Sequence, residues 1–278
     1  MRSKLLLTST FLYLSLLSLA QTYTIGTNNG TNTSTTYPSP YNNRNGFVRT
    51  QILVLASELT AAGAVAGDIT SLAFSVASIN APGARNVLTG YSLKFKLTSA
   101  TSLTTSFDNT GLTTVFSPAS YTPTTGWNTH TLTNCFAWDG TSNVLIDVCY
   151  NAITAATTGA TTNWTTGMSF ASCLYSTTGG CSGATGTTSN NRPIMQFTIQ
   201  KKDAAAISSN LNGTNIILNQ FSPISITIQN NSCKPINSAQ VGYKFNNAAP
   251  VVETYTGPLA PGASATYAFS IPVNPITL

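Results

Sequence analysis

From residue 21 onward, apolar and polar side chains alternate along most of the chain. In residues 91–97, Tyr91, Leu93, Phe95 and Leu97 point one way while Ser92, Lys94 and Lys96 point the other. A period of two is the mark of a half-buried strand. Leu72, Phe74 and Val76 repeat it, and Met195, Phe197 and Ile199 alternate with Gln196, Thr198 and Gln200. Residues 52–55 and 144–150 are denser apolar runs, which predict strands covered on both faces. Asn29-Gly30, Asn45-Gly46 and Asn212-Gly213 suit positive-φ turns, and Pro38, Pro40, Pro82, Pro118 and Pro123 fall in connections. One short helix is predicted over 58–62, with Ser57 as its cap and Gly63 as its left-handed stop.

Many short strands with regular turn signals predict an all-β protein. A boundary is expected near Lys201. Residues 21–200 read as a jelly-roll-like β-sandwich. Residues 201–278 start a new series of strands, at 215–219, 224–228, 240–245, 251–255 and 266–271, with a turn-rich loop at 257–262. This second series reads as an immunoglobulin-like sandwich. Such a sandwich normally takes about seven strands in roughly 100 residues. It is therefore expected to be incomplete, and the chain to be the front part of a longer protein.

Residues 1–20 break the pattern. A basic start (Arg2, Lys4), an apolar run over 5–19 and the small-x-small site Ser18-Leu19-Ala20 predict a cleaved signal peptide. The apolar run is shorter than the roughly twenty residues of a membrane span, and no later stretch is long enough. The mature protein is expected to be secreted or held at the cell surface, without a membrane span. Losing Arg2 and Lys4 reduces the formal charge of +5 to +3. Charged residues are 7% of the chain, against roughly 25% in ordinary domains. The remaining Lys and Arg form no stripe with interleaved aromatics, so nucleic acid is not an expected partner.

The candidate chemistry is sparse. There are seven carboxylates and one histidine. His130 has no nucleophile-elbow sequence to serve and reads as structural. Asp139 and Asn143 could contribute oxygens to a calcium site, although a plain turn explains Asp139 as well. Asp147 sits in an apolar strand, on one face with Leu145 and Cys149, and needs a partner such as Arg44, Arg49, Arg85 or Arg192. No pair among Glu58, Asp68, Asp108, Asp139 and Asp147 announces glycosidase chemistry. No cofactor is expected. Trp127, Trp138 and Trp164, with Tyr37 and Tyr41, could stack on sugar rings if they form an exposed row; otherwise they cap the core. In an oxidising compartment the five cysteines are expected to form disulfides. Cys173 with Cys181 is the first choice and Cys135 with Cys149 the second. Cys233 is left over, either as a free buried thiol or for a partner elsewhere.

Blocks at 37–41, 56–63, 67–74, 117–121, 126–130 and 138–143, in that order, together resemble an N-terminal β-domain of large secreted and cell-surface proteins of Bacteroidota-type bacteria. Residues 226–231 and 257–263 resemble the strand and loop of the adhesion-type, immunoglobulin-like repeats found in the same architectures. The resemblance implies a non-catalytic surface or adhesion protein exported through type IX-associated machinery, although no sorting domain follows here. Its ligand would be an extracellular one, either a polysaccharide or another surface protein. The alternative is a carbohydrate-binding accessory module of a larger secreted hydrolase.

Overall fold

The computed structural model describes residues 20–79, 86–150, 158–201, 204–210, 220–244 and 249–273. Residues 1–19 of the expected signal peptide, Pro82, Arg85, the expected turn at Asn212-Gly213 and the strand expected at 215–219 lie outside the described residues. The chain divides into two compact units, Ala20–Lys201 and Lys202–Leu278.

The first unit is built on eight principal strands. They are β1 (Gln21–Ile25), β2 (Val48–Val54), β3 (Gly67–Ser78), β4 (Ser92–Thr98), β5 (Thr113–Phe116), β6 (Gly126–Trp138), β7 (Asn143–Tyr150) and β8 (Met195–Gln200). One sheet runs β1-β8-β3-β6 and the other β2-β7-β4-β5, every neighbour antiparallel. That order is two nested Greek keys, the topology of a jelly roll. The short strands Cys173–Ser176 and Thr187–Ser189 extend the second sheet beyond β2.

The alternation in the sequence explains the layers. Ile69, Leu72, Phe74, Met195 and Phe197 from one sheet meet Ile52, Leu93, Phe95, Ile146 and Val148 from the other in a single buried cluster. Every residue of β2 is buried, as are the last seven of β7. Here the outward side chains are covered as well, by segments 103–108 and 183–186. These are tied together by Phe107 N–H to Ala184 O (2.9 Å) and Gly186 N–H to Thr105 O (2.8 Å).

The helix α1 runs Ala56–Ala61, so Ser57 lies inside it rather than capping it. The cap comes from further away. Asn143 Oδ1, at the start of β7, accepts the Ala56 N–H at 2.7 Å, and Glu58 Oε2 accepts the Leu55 N–H at 2.9 Å. Gly63, with φ +90°, follows the helix end as expected. Gly46 is at φ +80°, whereas Gly30 begins a two-residue strand instead of a positive-φ turn.

The second unit has five strands among the described residues: β9 (Ala204–Ser209), β10 (Ser225–Asn230), β11 (Ile236–Tyr243), β12 (Val251–Leu259) and β13 (Ser264–Ala268). One sheet is β9-β10-β13 and the other is β11-β12, the placing of strands A, B, E and C, C′ in an immunoglobulin-like sandwich. Ile226, Ile228, Val241, Leu259 and Phe269 share its small core. The loop expected at 257–262 starts later than its composition suggests. Strand β12 continues through Gly257 and Pro258, and the turn is closed by Ala263 N–H to Ala260 O (3.0 Å).

Candidate functional site

Three ion pairs, Arg49–Asp147, Lys96–Asp108 and Arg192–Glu58, tie parts of the jelly roll together. Arg49 Nε and Nη2 both donate to Asp147 Oδ2, at 2.9 and 2.6 Å. Gln51 Nε2 donates to the same oxygen at 2.8 Å and to Asp108 O at 2.7 Å. Arg49 Nη1 reaches Gly183 O at 2.9 Å, and its guanidinium lies 4.4 Å from the Phe107 ring centre. Of the four arginines named for Asp147, Arg49 is therefore the partner, because it faces outward directly beside Cys149 in the β2–β7 register. At the rim, Lys96 Nζ pairs with Asp108 at 2.6 Å. Against the upward push of burial, the bonds from Lys96 and Thr110 hold the Asp108 carboxyl below its ordinary range.

The other acids are placed similarly. Glu58 clasps the buried Arg192, whose Nη1 also donates to Leu53 O at 2.8 Å. Asp139 closes its own turn: Oδ1 accepts from Thr141 and Ser142 N–H, and Oδ2 from the Ser142 hydroxyl (2.6 Å). The Ser142 hydroxyl and these N–H groups bring its carboxyl down to about 2. Asn143 Oδ1 is taken by the helix, so the two calcium candidates do not pool their oxygens. Asp68 is fully buried, and neither of its carboxylate oxygens meets a hydrogen-bond partner among the described residues.

His130 is fully buried in the core. The Tyr41 hydroxyl is hydrogen-bonded to Nε2 at 2.6 Å, and the rings of Tyr41, Tyr91 and Tyr121 lie 5.9, 5.1 and 4.5 Å away. Burial pulls the imidazole down to about 3, so it stays neutral at physiological pH. It serves as a packed aromatic.

The disulfide expected between Cys173 and Cys181 does not form. Cys149 pairs with Cys181 instead, and Cys173 is a free buried thiol, raised to about 12 by desolvation. Strand parity is the reason. Cys173 is cross-strand from Ile52 and points into the core, whereas Cys149 points outward with Asp147, under the segment that carries Cys181. The second choice, Cys135 with Cys149, fails with the first. Cys135 and Cys233 are each disulfide-bonded, so Cys233 is not a free thiol.

The tryptophans form no exposed row. Trp138 and Trp164 are 2% and 6% exposed, with Nε1 bonded to Ser142 O (2.8 Å) and Pro38 O (3.1 Å). Tyr41 is buried too. Trp127 is 40% exposed and stands on the outer side of β6.

On that outer side of the β1-β8-β3-β6 sheet, β1 and β6 carry exposed side chains while Ser71, Ala73 and Ser75 of β3 are buried. Two rows of side chains cross it. One row is Thr22, Thr198, Ser71 and Thr131; the next is Thr24, Gln196, Ala73 and Thr129. Ser71 donates to Thr198 Oγ1 at 2.7 Å, Thr198 and Thr22 Oγ1 are 3.1 Å apart, and Gln196 Nε2 donates to Thr24 Oγ1 at 3.2 Å. Neither row contains an ionisable group. Reasoning from sequence overlooked this surface. Its signal was present in Thr22 and Thr24 around Tyr23, and in Thr129 and Thr131 around His130, but which threonines become neighbours depends on the pairing of four strands far apart in the chain.

No protein-family model matches this chain, and neither a curated protein nor a solved structure matches it.

Proposed function

We propose that this is a non-catalytic, exported protein of the cell surface or extracellular space, in which the jelly roll presents a binding face and the immunoglobulin-like unit acts as a spacer. The observation that carries the reading is where the charges lie. Glu58, Asp108, Asp139 and Asp147 each hold a helix, a loop or a turn, and Asp68 is buried, while the exposed side chains that β1 and β6 turn to the outer face of the other sheet are neutral and hydroxyl-rich. A surface of this kind recognises through hydrogen bonds and shape. Repetition or anchoring would then supply avidity.

Export is supported by the leader-like residues 1–20 and by cysteine usage, since four of the five cysteines are disulfide-bonded, a state that persists in oxidising compartments. Among the described residues no helix is long and apolar enough to cross a membrane. The adhesion role and type IX-associated export rest on the residue blocks that resemble those of surface proteins of Bacteroidota-type bacteria. The alternative, a carbohydrate-binding accessory module built on a row of aromatics, loses its row, because Trp138 and Trp164 belong to the core.

The test is fractionation of cells making the natural protein, protease accessibility on intact cells, and N-terminal sequencing of the mature chain. The expected result is an exposed or secreted protein beginning at Gln21. A cytoplasmic protein with its leader intact would overturn the reading, as would release of reducing sugar or peptide from a substrate panel.

A further inference from the structure

The geometry points to Gln21 as a site of self-modification: once the leader is removed, its α-amine closes on its own side-chain amide, and the mature protein begins with a pyroglutamyl ring. The inference rests on the proposed export, because cleavage after Ala20 is what makes Gln21 the first residue. Gln21 is also the first residue of β1, where it is exposed and paired with Ile199. Its amide is therefore open to solvent while the backbone behind it is held in the sheet.

Side chains two apart on a strand share a face, which sets Tyr23 beside Gln21. The Tyr23 hydroxyl donates to Gln21 Oε1 at 2.7 Å. That oxygen gathers negative charge when a nucleophile adds to Cδ, and a donor already in place there stabilises the addition. The nucleophile belongs to the same residue. An intramolecular amine acts at an effective concentration far above that of any competing group in solution. An α-amino group ordinarily titrates at about 8, so a fraction of the chains carries the free base at neutral pH.

The step balances within one residue. The α-nitrogen forms a bond to Cδ, the Cδ–Nε2 bond breaks, and one proton passes from the α-nitrogen to Nε2, which leaves as ammonia. No oxidant, reductant or cofactor takes part. The ring nitrogen keeps one N–H, so the head of β1 retains an amide-like donor while the α-ammonium charge disappears. The exposed Thr22 and Thr24 of β1 then continue from a neutral start, and the strand offers no free amine to an aminopeptidase.

The first test is tandem mass spectrometry of the N-terminal peptide of the natural protein. The expected peptide starts at Gln21 and is lighter by one ammonia. A peptide that starts at Gln21 with its amide intact overturns the inference and leaves export standing, whereas a retained leader overturns both. The second test follows ring closure in the full mature chain, released with a free Gln21 by a site-specific protease, in native buffer and in guanidinium chloride. Closure should be about tenfold faster in the folded chain, the size of one hydrogen bond to developing charge. Tyr23→Phe should remove that advantage, and Tyr267→Phe, whose hydroxyl serves Glu253 in the other unit, should keep it. Thermal melting confirms that each variant is folded, and if Tyr23→Phe is not, the ratio of native to denatured rates in the unaltered chain decides. Equal rates in the two solvents overturn the inference, as does a folded Tyr23→Phe that closes as fast as the unaltered chain.

Discussion

On the outer side of β2 and β7, Arg49, Gln51 and Asp147 lie under a roof of loops. On the outer side of β6, Trp127, Thr129 and Thr131 are exposed. Both faces belong to one sandwich and follow the same alternation, yet the first holds a buried ion pair, a cation over an aromatic ring and a disulfide, and the second holds no charge in its rows. A chain with few charges has placed them where loops must be held down. A buried ion pair is costly to desolvate and is tolerable only when nearly every donor and acceptor is matched. Here Gln51, Gly183 and Phe107 complete the matching. On the other sheet the exposed side chains of β1 and β6 avoid that cost through neutral hydroxyls, while Asp68, at the start of β3, is buried without a hydrogen-bond partner among the described residues.

The sharpest way to break this comparison is at Asp147. Asp147→Ala strands the Arg49 guanidinium in the interior and should destabilise the protein by about 3–5 kcal/mol, read from urea denaturation. The double variant Arg49→Met/Asp147→Leu should recover most of that loss. A loss below about 1 kcal/mol would mean that the pair behaves like an exposed one and the roof does not depend on it. Next in size is the Cys149–Cys181 disulfide, which staples the roof to β7 across 32 residues of sequence. Replacing both cysteines with alanine should cost about 2–4 kcal/mol and raise proteolysis within segment 176–187 before the rest of the unit.

Between the two faces, His130 makes the core sensitive to acid. Its folded pKa of about 3 lies below the ordinary 6.5, so between those values the unfolded chain binds a proton that the folded chain refuses. Stability is unaffected above pH 6.5 and falls by about 1.4 kcal/mol per pH unit below it, flattening near pH 3. Urea midpoints at pH 7 and pH 5 should show a loss of about 2 kcal/mol, and His130→Gln should remove most of that difference. Smaller still, Asn143→Ala should cost about 1 kcal/mol by uncapping α1. On the open face, Thr131→Gln should change stability by no more than about 0.5 kcal/mol. A larger loss would make that face structural like its counterpart.

Much of the fold was legible. Period-two alternation located β3, β4 and β8, and the dense apolar runs marked β2 and β7 as covered on both sides. Asp147 showed itself as a carboxylate in an apolar strand and so demanded a cation. The helix cap was misread because Ser57 is a good cap by composition, while Asn143, 87 residues away, supplies the actual acceptor. The expected aromatic row failed for a related reason. An indole reads the same in sequence whether its N–H meets water or, as in Trp138 and Trp164, a backbone carbonyl.

The amino-acid order alone determined that this chain forms strands, which side of each strand turns inward, and how little ionisable chemistry it brings, because these follow from the geometry of a single extended segment. Only the tertiary structure decided that Arg49 rather than another arginine answers Asp147, that Cys149 rather than Cys173 meets Cys181, and that threonines more than a hundred residues apart share a face. Those outcomes depend on which strands pair and in what register. Each pairing is selected by the burial of whole sheets against one another, a collective free energy that no short stretch of sequence contains.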